Sequence, residues 1–225
     1  MQYLKRFDNE EEYIAFLESR QMVRPNVSLI KDTSAIYFNK LLPFGVYIQH
    51  KDGGLHTESE WVSKGFANSD ANGVAIIDND AQFVIAKTHF TGAWSSDTSG
   101  LVDGLPTLDT TNARVDYNGP SNTRMMLATD ASGAAYKCST YKFPNGKYGY
   151  LPSGGELVIA YKYKDAVDSA MTAIGGSDMK QFNAMWASTQ SGATGAFQLG
   201  WNSTIKFDTQ TKSYTNTIRP FSLLY

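Results

Sequence analysis

The sequence predicts an α+β fold, and three patterns carry that prediction. Ser153-Gly154-Gly155-Glu156 is a capping box that opens a helical run. Ala71–Ile77 and Gln82–Ala86 read as a hairpin around the turn Asp78-Asn79-Asp80. Near the C-terminus, Phe197–Trp201 and Thr204–Asp208 alternate strictly between apolar and polar residues, the mark of half-buried strands.

Taken in order, the chain opens with Asp8-Asn9-Glu10-Glu11, an acidic first turn that suits a helix dipole. Tyr13, Phe16 and Leu17 follow at helical spacing, and the helix is expected to end near Arg20. Arg24-Pro25 starts an extended segment to Ile30, because the residue before a proline avoids the α region. After a turn at Lys31–Ser34, Ala35–Asn39 reads as a second strand. Such a helix-plus-hairpin module, residues 1–40, buries too little area to stand alone and is expected to dock on a partner or on the next domain. Leu42-Pro43 marks the boundary to a second domain, residues 41–225.

In that domain Gly45–His50 is a strand, Lys51-Asp52-Gly53-Gly54 a tight turn, and Leu55–Thr57 a return to extended structure. Residues 90–124 are rich in Gly, Ser, Thr, Asp and Asn, which predicts a long surface excursion. Met125–Ala135 is compatible with a helix or a strand. Tyr141–Lys147 reads as a strand entering a turn. The capping box should drive a helix through Leu157, Val158, Ala160 and Tyr161. A second helix, Ala166–Ile174, should stop at Gly175-Gly176 in a left-handed cap. Beyond Phe182 the pattern is β, and Thr217–Leu223 closes the chain as a strand.

Composition narrows the function classes. The 225 residues are 42% apolar, enough for a packed core, and include 13 Tyr, a residue suited to half-exposed sheets and contact surfaces. The net charge is −2 with no Lys/Arg run, so no nucleic-acid footprint is present. Cys138 is the only cysteine, which excludes an intrachain disulfide and a cysteine zinc site. The first residues lack an apolar signal core and no stretch approaches membrane-span length, which leads to the expectation of a chain made in a reducing cytoplasm, without membrane insertion.

Candidate chemistry is sparse. His50, His56 and His89 lack metal-ligand spacing; the first two could converge across the Gly53-Gly54 turn, but a third ligand is missing. Asp78-Asn79-Asp80 offers oxygens that a hairpin turn already explains. No phosphate loop follows Gly53-Gly54 or Gly175-Gly176, and no Gly-x-Ser-x-Gly elbow occurs. Trp186 and Trp201 are expected in the core with paired indole N–H groups rather than as stacking platforms. Arg219 is expected to tie loops together rather than to bind an acidic ligand.

From Gly149-Tyr150-Leu151-Pro152-Ser153-Gly154-Gly155-Glu156-Leu157, through Trp186-Ala187-Ser188-Thr189, to Ile218-Arg219-Pro220-Phe221, the chain resembles the C-type-lectin-like domain of variable proteins that retroelements diversify in phages and gut bacteria. Relatives in Bacteroides and its phages look similar over the wider span Gly45 to Phe221, including Phe143-Pro144-Asn145-Gly146-Lys147 and Ile174-Gly175-Gly176. The resemblance implies a frame of Pro152, Glu156, Leu157, Trp186, Ser188, Trp201, Arg219 and Pro220. It implies a binding surface of Gln190, Ser191, Thr194, Gln198, Asn202, Thr204, Lys206, Asp208, Ser213, Tyr214 and Asn216. Ala187 stands where relatives carry Ser, and the stretch has fewer Tyr and Asn than heavily diversified members. Trp201-Asn202-Ser203 is similar to the Trp-Asn-Asp of calcium-dependent lectins, but Ser203 replaces the carboxylate that a hard cation needs. Formylglycine-generating oxidases share the broad fold and need a cysteine pair, which this chain lacks.

Val23-Arg24-Pro25-Asn26-Val27-Ser28 resembles the short leader of structural proteins from Bacteroidales phages. Together the resemblances imply a non-enzymatic phage structural protein, a fibre or decoration, made in the host cytoplasm and released in the virion by lysis. Residues 1–40 would join other virion proteins, and homo-oligomerisation is expected. The lectin-like face would bind a host-surface glycan or protein, without cofactor or metal. The alternatives are a decoration protein whose face binds another virion subunit, and a bacterial surface adhesin.

Overall fold

A computed structural model describes residues 42–177, 179, 184–201 and 205–224. The chain divides into two units, Met1–Pro43 and Phe44–Tyr225, and the fold below is that of the second. The helix and hairpin expected within residues 1–40 lie outside the described residues.

The second unit is α+β, with two five-stranded sheets. Its strands are β1 (Gly45–His50), β2 (Leu55–His56), β3 (Ala71–Ile77), β4 (Gln82–Ile85), β5 (Phe90–Gly92), β6 (Met185–Gln190), β7 (Gly195–Gly200), β8 (Lys206–Thr211), β9 (Asn216–Ile218) and β10 (Phe221–Leu223). The first sheet has the order β10-β4-β3-β1-β2 and the second β5-β9-β6-β7-β8. Strands pair antiparallel except β6 with β9, which run parallel. Strand β3 is buried along its whole length, as expected for a central strand of apolar and small residues.

The helices among the described residues are α1 (Glu58–Ser63), α2 (Thr110–Ala113), α3 (Gly119–Thr129), α4 (Ala134–Thr140), α5 (Gly154–Lys162) and α6 (Lys164–Ala173). The capping box opens α5 as the sequence predicts: Glu156 accepts from the Ser153 amide at 2.7 Å. Gly175 takes φ +65° after α6, the left-handed cap expected there. Helix α1 was not anticipated, although Thr57 and Glu60 form a second capping box in plain sight. The ambiguous stretch around Met125–Ala135 is helical, split between α3 and α4.

Two expectations need correction. Residues 90–124 are not a surface excursion throughout: Trp94, Val102, Leu105 and Ala113 are buried, and the stretch contains β5, α2 and the start of α3. Small polar residues there serve turns and caps, while the few apolar ones anchor the segment. The closing segment is not one strand either. Strand β9 belongs to the second sheet and β10 to the first, and Arg219-Pro220 is the crossover between them. Proline has no N–H for the ladder, so it suits a point where the chain leaves one sheet for another. The crossover is clamped: Arg219 donates to the carbonyls of Ala86 at 3.0 Å and Ser177 at 3.3 Å, and Ala86 N donates to Pro220 O at 2.9 Å.

Successive residues of a strand point to opposite faces, and the central strands β6 and β7 of the second sheet bury both. Met185, Ala187, Phe197, Leu199 and Phe207 join the main core with β3, β4, α5 and α6. Trp186, Ala196 and Ile218 join a smaller core with Trp94, Val102, Leu105, Met126 and Leu151. Full burial of a side chain such as Leu199 contributes about 1.5–3 kcal/mol.

Glycine sets how closely the layers approach at the start of α5. A Cβ on Gly155 would stand 2.6 Å from both the Asp116 carbonyl and the Tyr117 ring, and one on Gly154 would meet the Ala113 carbonyl and the Phe207 ring. The loop between α2 and α3 therefore lies directly on the helix terminus. Replacing Gly155 by Ala should lower stability by about 1–3 kcal/mol through overpacking, measured by urea unfolding, although α5 itself gains helix propensity.

Candidate functional site

Strand β6, Met-Trp-Ala-Ser-Thr-Gln, is fully buried and nearly every polar group on it is committed. Trp186 Nε1 donates to Gly92 O at 3.1 Å, and Trp94 Nε1 donates to Ala187 O at 2.7 Å. Ser188 N donates to Pro152 O at 2.7 Å. Thr189 Oγ1 donates to Asp116 Oδ2 at 2.7 Å and accepts from Gly154 N at 3.0 Å. Asp116, itself buried, also accepts from Asn122 Nδ2 at 2.8 Å and from the amide and side chain of Asn118, each at 3.0 Å. The Asp116 carboxylate thus joins β6 to the start of α3, and Thr189 Oγ1 carries the link on to the terminus of α5.

Gln190 was expected on the binding surface, and the structure places it inside, with 0% exposure. Its Nε2 donates to Leu105 O at 2.5 Å and to Val102 O at 3.4 Å, and its Oε1 accepts from Val102 N at 3.2 Å. It holds the 94–108 segment against the sheet, aided by the Leu108 N to Gln190 O bond at 3.1 Å. Lys212 was missed from the sequence and completes this anchor. Its Nζ donates to Gly100 O at 2.7 Å and sits 4.8 Å from the centre of the Trp94 ring. Burial lowers its pKa, with Asp97 opposing. A lone lysine in a Thr-Lys-Ser turn carries no sequence signal for burial.

The remaining surface candidates fall into two groups. Asn216, Gln198 and Asp208 form a row across the sheet: Asn216 Nδ2 donates to Gln198 Oε1 at 2.5 Å, and Gln198 Nε2 donates to Asp208 Oδ1 at 2.8 Å. Lys206 Nζ extends the row, 3.2 Å from Asp208 Oδ2. Asn216 and Gln198 are buried, so this row serves as a polar floor; Lys206 is exposed and Asp208 half-exposed. The second group lies on turns. Lys212 N donates to Thr194 O at 2.9 Å, which sets the turn bearing Ser213 and Tyr214 beside the turn bearing Ser191 and Thr194. Thr194, Ser213 and Tyr214 are exposed, Tyr214 by 53%. Asn202 and Thr204 lie outside the described residues.

Trp186 and Trp201 are core residues with paired indoles, as expected; Trp201 Nε1 donates to Asp168 Oδ1 at 2.9 Å. His50 and His56 do converge, their ring centroids 6.5 Å apart, but Trp61 and Phe66 pack against both rings. Asp78 binds Lys162 and Tyr163, each at 2.7 Å, and so fixes its hairpin to the junction of α5 and α6. Cys138 is buried, and burial raises its thiol pKa well above the usual value. Among the described residues, no group of three His, Cys, Asp or Glu side chains stands together, and no helix is long and apolar enough to cross a membrane.

No family model matches the chain, and no characterised protein matches it in sequence. In structure it is similar to a fimbrial protein from Bacteroides ovatus, with a TM-score of 0.59 and 15% identity. The similarity covers 80% of this chain and 48% of that one, so this chain spans about half of the fimbrial protein. At that identity the likeness speaks for the fold alone.

Lys212→Met keeps the apolar stem and removes the ammonium that holds the 94–108 segment. It should cost about 1.5–3 kcal/mol of stability in denaturant unfolding and speed proteolysis between residues 95 and 104.

Proposed function

We propose that the chain is a non-enzymatic display protein of an extracellular assembly, in which a C-type-lectin-like frame presents a small, metal-independent binding rim. One observation carries the reading. The polar groups of β6 and its neighbours are consumed by internal hydrogen bonds, while the side chains of Thr194, Lys206, Ser213 and Tyr214 remain exposed around them. A frame saturated in this way tolerates change at the rim without unfolding. Tyr214 supplies a flat apolar ring with a polar tip, and Lys206 with Asp208 supplies a donor and an acceptor, a set that fits a glycan or a polar protein surface.

The pieces that carry the lectin-like resemblance, the capped α5, the Trp-Ala-Ser-Thr strand and the Arg-Pro crossover, are buried and internally hydrogen-bonded, which supports that reading. The structural likeness to a fimbrial protein supports a role as an adhesin or surface structural subunit. The leader-like segment Val23–Ser28 favours a second reading, a phage fibre or decoration protein attached through residues 1–40. The two differ in the scaffold that carries the domain and share the binding rim.

The full chain should bind a glycan array or host cells, with binding unchanged by EDTA. Tyr214→Ala combined with Lys206→Ala should weaken it at least tenfold while leaving the unfolding midpoint within a degree or two. Equal binding by the double variant would refute the rim, and loss of binding in EDTA would refute metal independence.

A further inference from the structure

Two buried carboxyl groups lie at the beginning of α5, Glu156 in its first turn and Asp116 on the loop packed against it. Glu156 is 4% exposed and Asp116 is 6% exposed. Glu156 Oε1 accepts from Tyr150 Oη at 2.9 Å, while Oε2 accepts from Ser153 N at 2.7 Å and lies 2.9 Å from Ser153 Oγ. Asp116 takes its donors from Asn118, Asn122 and Thr189, all uncharged. Among the described residues, no Lys, Arg or His forms an ion pair with either group. The nearest cation in sequence, Arg114, has its guanidinium 5.2 Å from the centre of the Phe207 ring.

Glu156 is faced from the segment before α5 by Tyr150 and Ser153, and from the loop before α3 by the Asp116 charge. From α3 the Gly119 backbone packs so closely that a Cβ there would strike the Glu156 carboxyl and the Tyr150 ring. Three donors and the positive end of α5 favour the anion. Burial and the Asp116 charge oppose it. Burial is the largest influence, and the Glu156 pKa rises to about 7.

We propose that Glu156 is a proton-operated latch on the display frame. With its proton, the carboxyl donates to Tyr150 Oη or to Ser153 Oγ and still accepts from the Ser153 amide, so the entry to α5 stays held and the cluster carries one buried charge. When the proton leaves, a second buried anion stands beside Asp116, and the α5 terminus loosens from Thr189 and the 113–117 loop. The frame is tightest on the acidic side of neutrality.

The direction of the effect follows from linkage. Below the ordinary glutamate range Glu156 is protonated both folded and unfolded, so its contribution is fully present and does not change with pH. As pH rises from about 4.5 to about 7 the unfolded chain loses this proton before the folded one does, so the Glu156 contribution to stability falls; above that window the loss is constant. Glu156→Gln keeps the shape and the donor–acceptor pattern of the protonated form without the titration. The ratio of wild-type to variant unfolding constants should therefore rise by on the order of a hundredfold between pH 4 and pH 8. In the unsubstituted protein, carbon-13 NMR should show the Glu156 carboxyl titrating near neutrality. Protection of the Gly154 and Gly155 amides, corrected for intrinsic exchange, should fall over the same window. A ratio independent of pH, or a Glu156 midpoint below about 5, would overturn the latch, and the NMR titration decides the matter even if the variant does not fold.

Discussion

The bond from Thr189 to Asp116 is the interaction on which the rest of this structure depends. It closes a triangle whose other sides are the Gly154 amide on Thr189 Oγ1 and the Gly155 amide on the Asp116 carbonyl, at 3.0 and 2.9 Å. A helix terminus, a strand and a loop are thereby fixed at one point. The helix terminus and the loop could not approach so closely if residues 154 and 155 carried side chains, as the clashes with Ala113, Asp116 and Tyr117 show. The polar brace and the glycines are therefore one device. The glycines permit contact, and the hydrogen bonds satisfy the groups that contact would otherwise strand away from water.

The brace also explains the division between frame and rim. With Thr189 held by Asp116 and Gly154, the next residue of β6, Gln190, holds the 94–108 segment, with Lys212 as the second anchor. The row from Asn216 through Gln198 to Asp208 is likewise internally satisfied. Side chains that face solvent sit at turns and at the edge strand β8, where no core contact depends on them. The proposed binding by such a surface would rely on pre-organisation, because the backbone beneath its exposed side chains is already ordered.

Much of this fold was legible in the sequence where local chemistry and tertiary role coincide. The Ser153–Glu156 capping box, the hairpin around Asp78–Asp80 and the Gly175 cap are set by neighbours in the chain, and each stands where its residues place it. Trp186, Trp201 and Arg219 were legible as core and clamp because large groups with a few polar atoms are ordinarily buried with partners. Long-range placement was not legible. Gln190 looks like a surface residue next to Ser191, and only the return of residues 102–105 makes it a core anchor. Lys212 is buried for the same reason. The split of Thr217–Leu223 between two sheets depends on which strands already wait at each edge, which no local pattern encodes, although Pro220 marks the place.

The central claim is that the Asp116 carboxylate couples the loop before α3 to β6 at the terminus of α5. A double-mutant cycle with Asp116→Asn and Thr189→Val, read by urea unfolding at fixed pH, tests it most directly. The account predicts an interaction energy of about 1–3 kcal/mol between the two positions, with the double variant less destabilised than the sum of the single ones. Additivity within about 0.5 kcal/mol would contradict it, since the two residues would then stabilise the fold independently.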